Sequence, residues 1–231
     1  MFKYDVLLFD ADDTLLDFKR AEHSALTDTL KEYSLPYDET IISEYSKINA
    51  SLWKMLELGQ IEKSRLRTKR FELLCEKYGF SVNSSDMAET YTDRLSEKTY
   101  TIDGAAALCQ KLSEKYRLYV VTNGIKTVQS KRFAESGLAQ YFIRSFISED
   151  IGYEKPSTKY FERVAECIEN FDKSRTLIIG DSLSSDIKGG NLFGIDTCFF
   201  NPKYKEIPNE IKITYNIQSF DELEKILLTE A

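Results

Sequence analysis

The stretch Val6-Leu7-Leu8-Phe9-Asp10-Ala11-Asp12-Asp13-Thr14 decides the fold, because an unbroken apolar run leads directly into a group of acids. A continuous apolar run of this length is typical of a strand that is buried on both faces, as in parallel sheets. Similar short runs recur downstream at 118–121, 146–148, 176–179 and 198–200. Segments with helical spacing separate them, at 105–116, 126–136, 159–170 and 185–193. Strands that alternate with helices predict an α/β fold with a doubly wound parallel sheet.

The segment 18–100 differs from the rest of the chain, since it contains no convincing strand run and its apolar residues recur at helical spacing. Only Gly59 and Gly79 precede residue 104, and each follows a helical stretch where a left-handed cap is expected. The cluster Ser84-Ser85-Asp86 is expected to form the N-cap of the last helix of the segment. We therefore expect a core formed by 1–17 and 101–231, with a helical cap domain inserted at 18–100.

Composition narrows the class of protein before any motif is considered. The 231 residues are 42% hydrophobic and 13% aromatic, which suffices for a large core and excludes a disordered chain. Asp and Glu outnumber Lys and Arg by 38 to 31, which argues against a nucleic-acid polymer as partner, because such binding depends on basic side chains. No apolar run approaches the roughly 20 residues of a membrane span, and the first run is too short for a signal peptide. We therefore expect a cytoplasmic protein that does not bind membranes.

The small numbers of histidines and cysteines exclude several kinds of active site. His23 is the single histidine, so neither a His-based triad nor a multi-His metal site is available. The four cysteines form no CxxC pair, so we expect reduced thiols and neither a zinc knuckle nor a redox pair. The glycines near residue 190 do not form a dinucleotide fingerprint after the first strand, and such a site is not expected.

Polar side chains are expected to gather at the carboxyl ends of the predicted strands, where ligands bind in open parallel sheets. The candidates lie at these ends or in the adjoining loops: Asp10, Asp12, Thr122, Asn123, Lys155, Asp181 and Asp186. Each alone has a plainer interpretation, because acids after strands are common turn residues and lone lysines are mostly solvated. Crowded carboxylates repel one another unless a cation compensates them, and oxygen ligands without His or Cys favour Mg²⁺.

The same residue types suit phosphoryl transfer, which depends on positioning and on neutralising the charge of the transferred group. A hydroxyl, backbone N–H groups and a lysine could supply part of that neutralisation. An Asp can itself be the nucleophile and form an acyl phosphate. A second Asp two residues further lies on the same side of an extended chain, where it can act as general acid and base.

Four segments, in chain order, resemble the four motifs of the haloacid dehalogenase (HAD) superfamily. They are Phe9-Asp10-Ala11-Asp12-Asp13-Thr14-Leu15, Thr122-Asn123-Gly124, Lys155-Pro156 and Gly180-Asp181-Ser182-Leu183-Ser184-Ser185-Asp186. The resemblance covers the whole chain and implies a Rossmann-like core with a helical cap inserted after the first motif. The family pattern usually has Gly where this chain has Asp13, which adds a charge beside the site and alters neither implied catalytic Asp.

The resemblance implies a role for each matched residue. Asp10 is implied to be the nucleophile that becomes phosphorylated, and also a Mg²⁺ ligand. Asp12 is implied to be the general acid/base, with its backbone carbonyl on the metal. Thr122 and the backbone N–H of Asn123 are implied to hold phosphate oxygens, while Lys155 balances the charge of Asp10 and the phosphoryl group.

The implied metal site is completed by Asp181, which would bind Mg²⁺ directly, and by Asp186, which would bind directly or through a water. Members of the superfamily that cleave carbon–halogen bonds resemble this pattern but lack an acid at the position of Asp12 and need no metal. The retained Asp12 therefore favours a phosphatase over a dehalogenase.

Within the superfamily, the cap segments 48–53, 59–61 and 70–72 are similar to the pyrimidine 5'-nucleotidase group of YjjG type, and 12–18 and 147–152 fit the same group. Enzymes of this group dephosphorylate nucleoside monophosphates, including non-standard pyrimidines. The resemblance implies a Mg²⁺-dependent 5'-nucleotidase whose partner is a small phosphate monoester and which acts as a monomer or homodimer.

The residues themselves add little support for a nucleotide and leave alternatives open. Trp53 could stack on a base, although a Trp on an apolar helix face more often belongs to the core. A sugar-phosphate phosphatase or phosphomutase of the same superfamily would share the chemistry. A 2-haloacid dehalogenase or a phospho-aspartate receiver module fits less well. A receiver also uses acids, a hydroxyl and a lysine, but here the acceptor Asp10 ends the first strand and a long insertion follows it.

Overall fold

A parallel six-stranded sheet organises the part of the chain that carries the predicted motifs. In the computed structural model, which describes residues 3–228, neighbouring strands pair in the order β3-β2-β1-β4-β5-β6, and every pairing is parallel. The strands are β1 (Val6–Phe9), β2 (Arg117–Thr122), β3 (Arg144–Ile147), β4 (Thr176–Gly180), β5 (Asp196–Phe200) and β6 (Tyr215–Ile217). The predicted α/β fold with a doubly wound parallel sheet is confirmed.

The chain forms two compact units, and the sheet belongs to one of them. That unit contains the described residues up to Asp17 and those from Tyr100 onward, while Phe18–Thr99 forms the other. The helices of the second unit are α1 (Phe18–Glu32), α2 (Glu39–Glu57), α3 (Lys63–Tyr78) and α4 (Ser84–Ser96). Those of the sheet unit are α5 (Ala105–Ser113), α6 (Lys126–Glu135), α7 (Ser148–Ile151), α8 (Thr158–Glu166), α9 (Lys188–Phe193) and α10 (Phe220–Leu228).

The sheet is buried because its central strand is apolar on both faces. Leu7 and Phe9 of β1 pack into a cluster that includes residues of α5 and α10. Val6 and Leu8 point to the opposite face and pack with residues of α8 and α9. Since alternate residues of a strand face opposite sides, an unbroken apolar run is what a strand between two helical layers requires.

The structure corrects several boundaries of the predicted elements. The strand β6 was not predicted, because only Ile217 of its three residues is buried and they form no apolar run. The helix predicted at 185–193 is divided into a π-helical turn, Leu183–Ile187, and α9. The helix α4 is capped by Asn83, whose side chain accepts from the amides of Ser85 and Asp86, and not by the cluster 84–86.

The helical unit contains an aromatic core and a buried polar chain. The rings of Tyr45, Phe71 and Tyr91 lie within 5.2–5.4 Å of one another, centroid to centroid. Asn49 is buried and donates to Glu22 at 2.7 Å, while its amide oxygen accepts from Arg70 at 3.2 Å. These contacts satisfy Asn49 within the helical unit, as a buried amide requires.

Two features of the helical unit bear on the sequence predictions. Trp53 is partly buried and packs against Leu52, Leu56 and Leu66, which is the core role expected of most such residues. Gly59 and Gly79 both adopt the left-handed conformation predicted for them, with φ of 69° and 68°.

Among residues 3–228, no helix is long and apolar enough to cross a membrane.

Candidate active site

The predicted site residues converge at the carboxyl edge of the sheet. The strand β1 lies between β2 and β4. From β1 the chain forms β2 and β3 on one side of the sheet, and then crosses to form β4, β5 and β6 on the other side. Asp10 directly follows β1, Thr122 ends β2 and Asp181 directly follows β4. This is the point at which the strand order reverses, where open α/β sheets bind their ligands.

Asp10, Asp181 and Asp186 form a carboxylate cluster. One oxygen from each lies within 4.8 Å of the other two. The side chain of Asp186 is fully buried, and that of Asp10 is nearly so. Three carboxylates at this spacing repel one another strongly when they are removed from water.

Lys155 lies beside this cluster, 1% exposed, and supplies a positive charge. Its Nζ donates to Oδ1 of Asp10 at 2.7 Å, to Oδ1 of Asp186 at 2.6 Å and to the carbonyl of Val121 at 2.8 Å. All three ammonium hydrogens therefore have acceptors. Burial lowers the pKa of Lys155, but the charges of Asp10 and Asp186 outweigh burial and raise it above its ordinary value. The lysine is thus held as a cation between two of the carboxylates.

One lysine does not neutralise the cluster. Burial raises the pKa of Asp10 well above its ordinary value of 3.8, and the charges of Asp186 and Asp181 add to that rise against the opposing effect of Lys155. Burial likewise raises the pKa of Asp181, with Asp186 adding to it and Lys205 opposing it. A divalent cation would remove this excess of negative charge. The donors are hard carboxylate oxygens, so the residues fit Mg²⁺.

The position of Asp186 depends on the turn that carries it and on Gly180. Its Oδ1 accepts from Lys155, and its Oδ2 accepts from the amide of Ser182 at 3.2 Å. A Cβ atom at Gly180 would lie 2.2 Å from Oδ2 of Asp186, so only glycine leaves room for this carboxylate. The π-helical turn Leu183–Ile187, which holds Asp186, is of a kind found often at functional sites.

Asn123 fixes the loop that carries Lys155. Its Nδ2 donates to the carbonyl of Lys155 at 2.8 Å, and its Oδ1 accepts from the amide of Lys155 at 2.8 Å. The sequence assigns Asn123 a role only through its backbone N–H. The side chain has a separate structural role that the sequence pattern does not reveal.

The carboxylate of Asp12 points to a buried polar group on α6 and not into the carboxylate cluster. Arg132 Nη1 donates to Oδ1 of Asp12 at 2.6 Å, and Gln129 Nε2 donates to Oδ2 at 2.9 Å. Gln129 Nε2 also donates to Oγ1 of Thr122 at 2.9 Å. The side chain of Asp12 is therefore outside the set of carboxylates that could hold a metal, which leaves its backbone carbonyl for the implied contact.

Comparison with known proteins decides the family. The model of the haloacid dehalogenase-like hydrolases matches residues 7–200 of the chain. The chain belongs to this family. It is therefore an enzyme of the hydrolase class, as the four motifs predict.

Curated relatives support a finer placement within the family. The pyrimidine 5'-nucleotidase PynA of Streptococcus pneumoniae is 42% identical over 95% of this chain and 93% of its own length. The pyrimidine 5'-nucleotidase YjjG of Escherichia coli is 32% identical, over 97% of this chain and 98% of its own. The predicted similarity to the pyrimidine 5'-nucleotidase group is confirmed.

A solved structure matches the fold of the whole chain. The HAD-hydrolase YfnB of Bacillus subtilis superimposes with a TM-score of 0.94 at 41% identity, over 98% of this chain and all of that one. That structure is described as bound to magnesium, with interdomain movement. A magnesium-bound relative agrees with the acidic cluster of Asp10, Asp181 and Asp186.

Asp13 shows why the family pattern usually has glycine at this position. Its φ is 57°, in the left-handed region that glycine adopts freely and that Asp tolerates better than most residues. Its amide donates to the carbonyl of Leu16 at 2.7 Å, which closes the loop after β1. The departure from the family pattern is thus accommodated by the backbone.

Three contributors to the site were missed by the sequence analysis. Gln129 and Arg132 are spaced i, i+3 on α6 and so share one face of it, but a polar pair with this spacing ordinarily indicates a solvated face. Lys205, in the loop after β5, donates to Oδ2 of Asp181 at 3.1 Å and to its carbonyl at 3.0 Å. No signal in the sequence connects Lys205 with Asp181.

Proposed function

We propose that the protein is a Mg²⁺-dependent 5'-nucleotidase that hydrolyses pyrimidine nucleoside monophosphates, non-standard ones included, through an aspartyl-phosphate on Asp10. The observation that carries the chemistry is the buried ion pair of Asp10 and Lys155 beside Asp181 and Asp186. The substrate class is supported by the names of PynA and YjjG, which align with nearly the whole chain.

The metal would be held by Asp10, by Asp181 and by the backbone carbonyl of Asp12. Asp186 already accepts two hydrogen bonds from the protein, which favours a contact through water. When bound, Mg²⁺ would supply positive charge to both the carboxylates and the phosphate, so that two anions can approach one another.

In the first step, a carboxylate oxygen of Asp10 attacks the phosphorus and the bond to the nucleoside 5'-oxygen breaks. Lys155 donates to Oδ1 of Asp10, which fixes the orientation of this carboxylate for the attack. Asp12 gives a proton to the departing 5'-oxygen, because an alkoxide is a poor leaving group. The products of this step are the nucleoside and an acyl phosphate on Asp10.

In the second step, water attacks the phosphorus of the acyl phosphate and Asp12 takes a proton from that water. The acyl oxygen–phosphorus bond breaks, which restores Asp10 and releases inorganic phosphate. Thr122 Oγ1 accepts hydrogen bonds from Gly124 and Gln129, so its hydroxyl hydrogen is available for a phosphate oxygen throughout. Lys155 stays charged and balances Asp10 and the transferred group.

The test is a panel of phosphate-release assays with Mg²⁺ on UMP, dUMP, dTMP, CMP, purine monophosphates and sugar phosphates. We expect kcat/KM to be highest for the pyrimidines, and EDTA to stop turnover until Mg²⁺ is restored. Asp10→Asn should abolish turnover, whereas the control Asp221→Asn, at an exposed position on α10, should not change it.

Three outcomes would contradict different parts of the proposal. A flat profile, or a preference for a sugar phosphate, would remove the pyrimidine assignment and leave the phosphatase chemistry. Full activity of Asp10→Asn would remove the covalent mechanism, and hydrolysis without metal would remove Mg²⁺.

A further inference from the structure

We propose that Gln129 and Arg132 are positioning residues, which hold the carboxylate of Asp12 and orient the hydroxyl of Thr122 toward the phosphate. The inference rests on the proposed function and assigns roles to two residues outside the four motifs. It follows from the buried hydrogen-bond network that α6 forms with the loop after β1 and the end of β2.

Arg132 is the most deeply buried member of the network. Its side chain is 0% exposed, and its Nη1 donates to Oδ1 of Asp12 at 2.6 Å and to Oε1 of Gln129 at 3.2 Å. A buried guanidinium is very rare unless an anion pairs with it. The carboxylate that it pairs with here is 28% exposed and is the one implied to be the general acid/base. Arg132 therefore fixes a carboxylate that is still accessible to a substrate.

Gln129 links the general acid/base to the phosphate-binding residue. Its two Nε2 hydrogens are donated to Oδ2 of Asp12 and to Oγ1 of Thr122, each at 2.9 Å. Its Oε1 accepts from Arg132, which can only donate. The amide thus has one orientation that satisfies its partners, and that orientation is set by Arg132.

The orientation of Gln129 fixes that of the Thr122 hydroxyl. Oγ1 of Thr122 accepts from Gln129 and from the amide of Gly124 at 3.0 Å, which uses both of its lone pairs. The hydroxyl hydrogen is then left to donate, and a phosphate oxygen is an acceptor. Without the amide of Gln129, the hydroxyl could turn and accept instead.

The backbone at Gly124 leaves space for the side chain of Gln129. A Cβ atom at Gly124 would lie 2.4 Å from Cγ of Gln129, so the side chain needs glycine at that position. The third residue of the Thr122-Asn123-Gly124 motif therefore makes room for the residue that orients the first.

The experiment compares two esters that differ in how much they need an acid. A nucleoside 5'-oxygen must be protonated as it leaves, whereas p-nitrophenolate leaves without a proton. The quantity to compare is kcat/KM, because it reports the first step, in which the leaving group departs. We expect Arg132→Met to lower kcat/KM for UMP by about 100-fold, and kcat/KM for p-nitrophenyl phosphate by less than about 5-fold. The matched control is Lys131→Met, which removes an exposed cation from the same helix and should change neither value.

Further variants separate positioning from folding. Gln129→Met has a similar length and adds no charge, and it loses the donors to Asp12 and Thr122, so it should weaken inhibition by inorganic phosphate about 10-fold through Thr122. Arg132→Lys should recover part of the loss on UMP. In an Asp12→Asn background, Arg132→Met should add little further loss, since both changes act on one group.

The possible results keep this inference distinct from the proposed function. If the wild type hydrolyses both esters and Arg132→Met loses the same factor on each, Arg132 is structural and the inference is wrong. If Arg132→Met is unfolded, the inference is overturned when Gln129→Met leaves phosphate inhibition unchanged, or when Arg132→Lys folds but loses the same factor on UMP as on p-nitrophenyl phosphate, as a purely structural loss would. If the wild type hydrolyses neither ester with Mg²⁺, the proposed function fails and the inference falls with it.

Discussion

Replacement of Lys155 by Met tests how much this lysine stabilises the folded protein when no metal is bound to the carboxylate cluster. The ammonium group is 1% exposed and donates to Asp10, Asp186 and the carbonyl of Val121. Methionine fills a similar volume but supplies no donor and no charge. The substitution therefore leaves two buried carboxylates and one buried carbonyl without their shared partner.

The expected loss of stability follows from these contacts. Removing one partner of a buried ion pair destabilises a protein by about 3–5 kcal/mol, because the remaining charge stays buried. Each hydrogen bond to a charged group is worth about 1.5–3 kcal/mol, and three are lost, so the upper part of the first range applies. Screening by solvent does not reduce this loss of stability, because the side chain of Lys155 is hardly accessible to water.

The size of the loss depends on pH in a defined direction. Burial already raises the pKa of Asp10 in the folded protein, and removal of Lys155 raises it further. A group with a raised folded pKa contributes stability at low pH that is lost as the pH rises through that pKa. The deficit of Lys155→Met should therefore be greatest at neutral and alkaline pH and shrink as the pH falls.

The assay is urea denaturation without metal at several pH values, with Lys188→Met as an exposed control that should stay within about 0.5 kcal/mol of the wild type. A deficit below about 1 kcal/mol at neutral pH would refute the reasoning. A deficit that grows as the pH falls would contradict the assigned direction of the Asp10 pKa.

Two further predictions concern the metal and the core. Because burial and neighbouring carboxylates raise the pKa values of Asp10 and Asp181, protons compete with Mg²⁺, so its apparent Kd should rise as the pH falls and binding should release protons. Calorimetry in buffers of different ionisation heat measures this release, and an affinity independent of pH would contradict it. Gly190→Ala should destabilise the protein by about 1–3 kcal/mol without changing kcat, since a Cβ atom would lie 2.6 Å from Thr197 and 2.7 Å from Ile178. Thermal denaturation tests this, and an unchanged Tm would show that the packing there yields.

The fold was predictable because the central strand carries a strong local signal. The run 6–9 is apolar at every position, as a strand between two helical layers requires. The strand β6 has no such signal, since it is short and lies at the edge of the sheet, where one neighbour suffices. Its place is set by pairing with β5 and not by its own composition.

The candidate site was predictable wherever a residue follows a strand. Asp10, Thr122 and Asp181 are placed by the sheet, so the strand pattern locates them. Gln129 and Arg132 are placed by a helix that packs on the loop after β1, and their spacing alone does not distinguish a buried face from a solvated one. Only the folded structure shows that the pair meets Asp12.

The central claim is that Asp10 is phosphorylated during turnover, and one measurement tests it most directly. In Asp12→Asn, p-nitrophenyl phosphate can still transfer its phosphoryl group, because the leaving group needs no acid, while breakdown lacks its base. Rapid mixing should then release about one equivalent of p-nitrophenolate, and mass spectrometry should find one phosphoryl group on Asp10. No burst, or a phosphoryl group on another residue, would contradict the account.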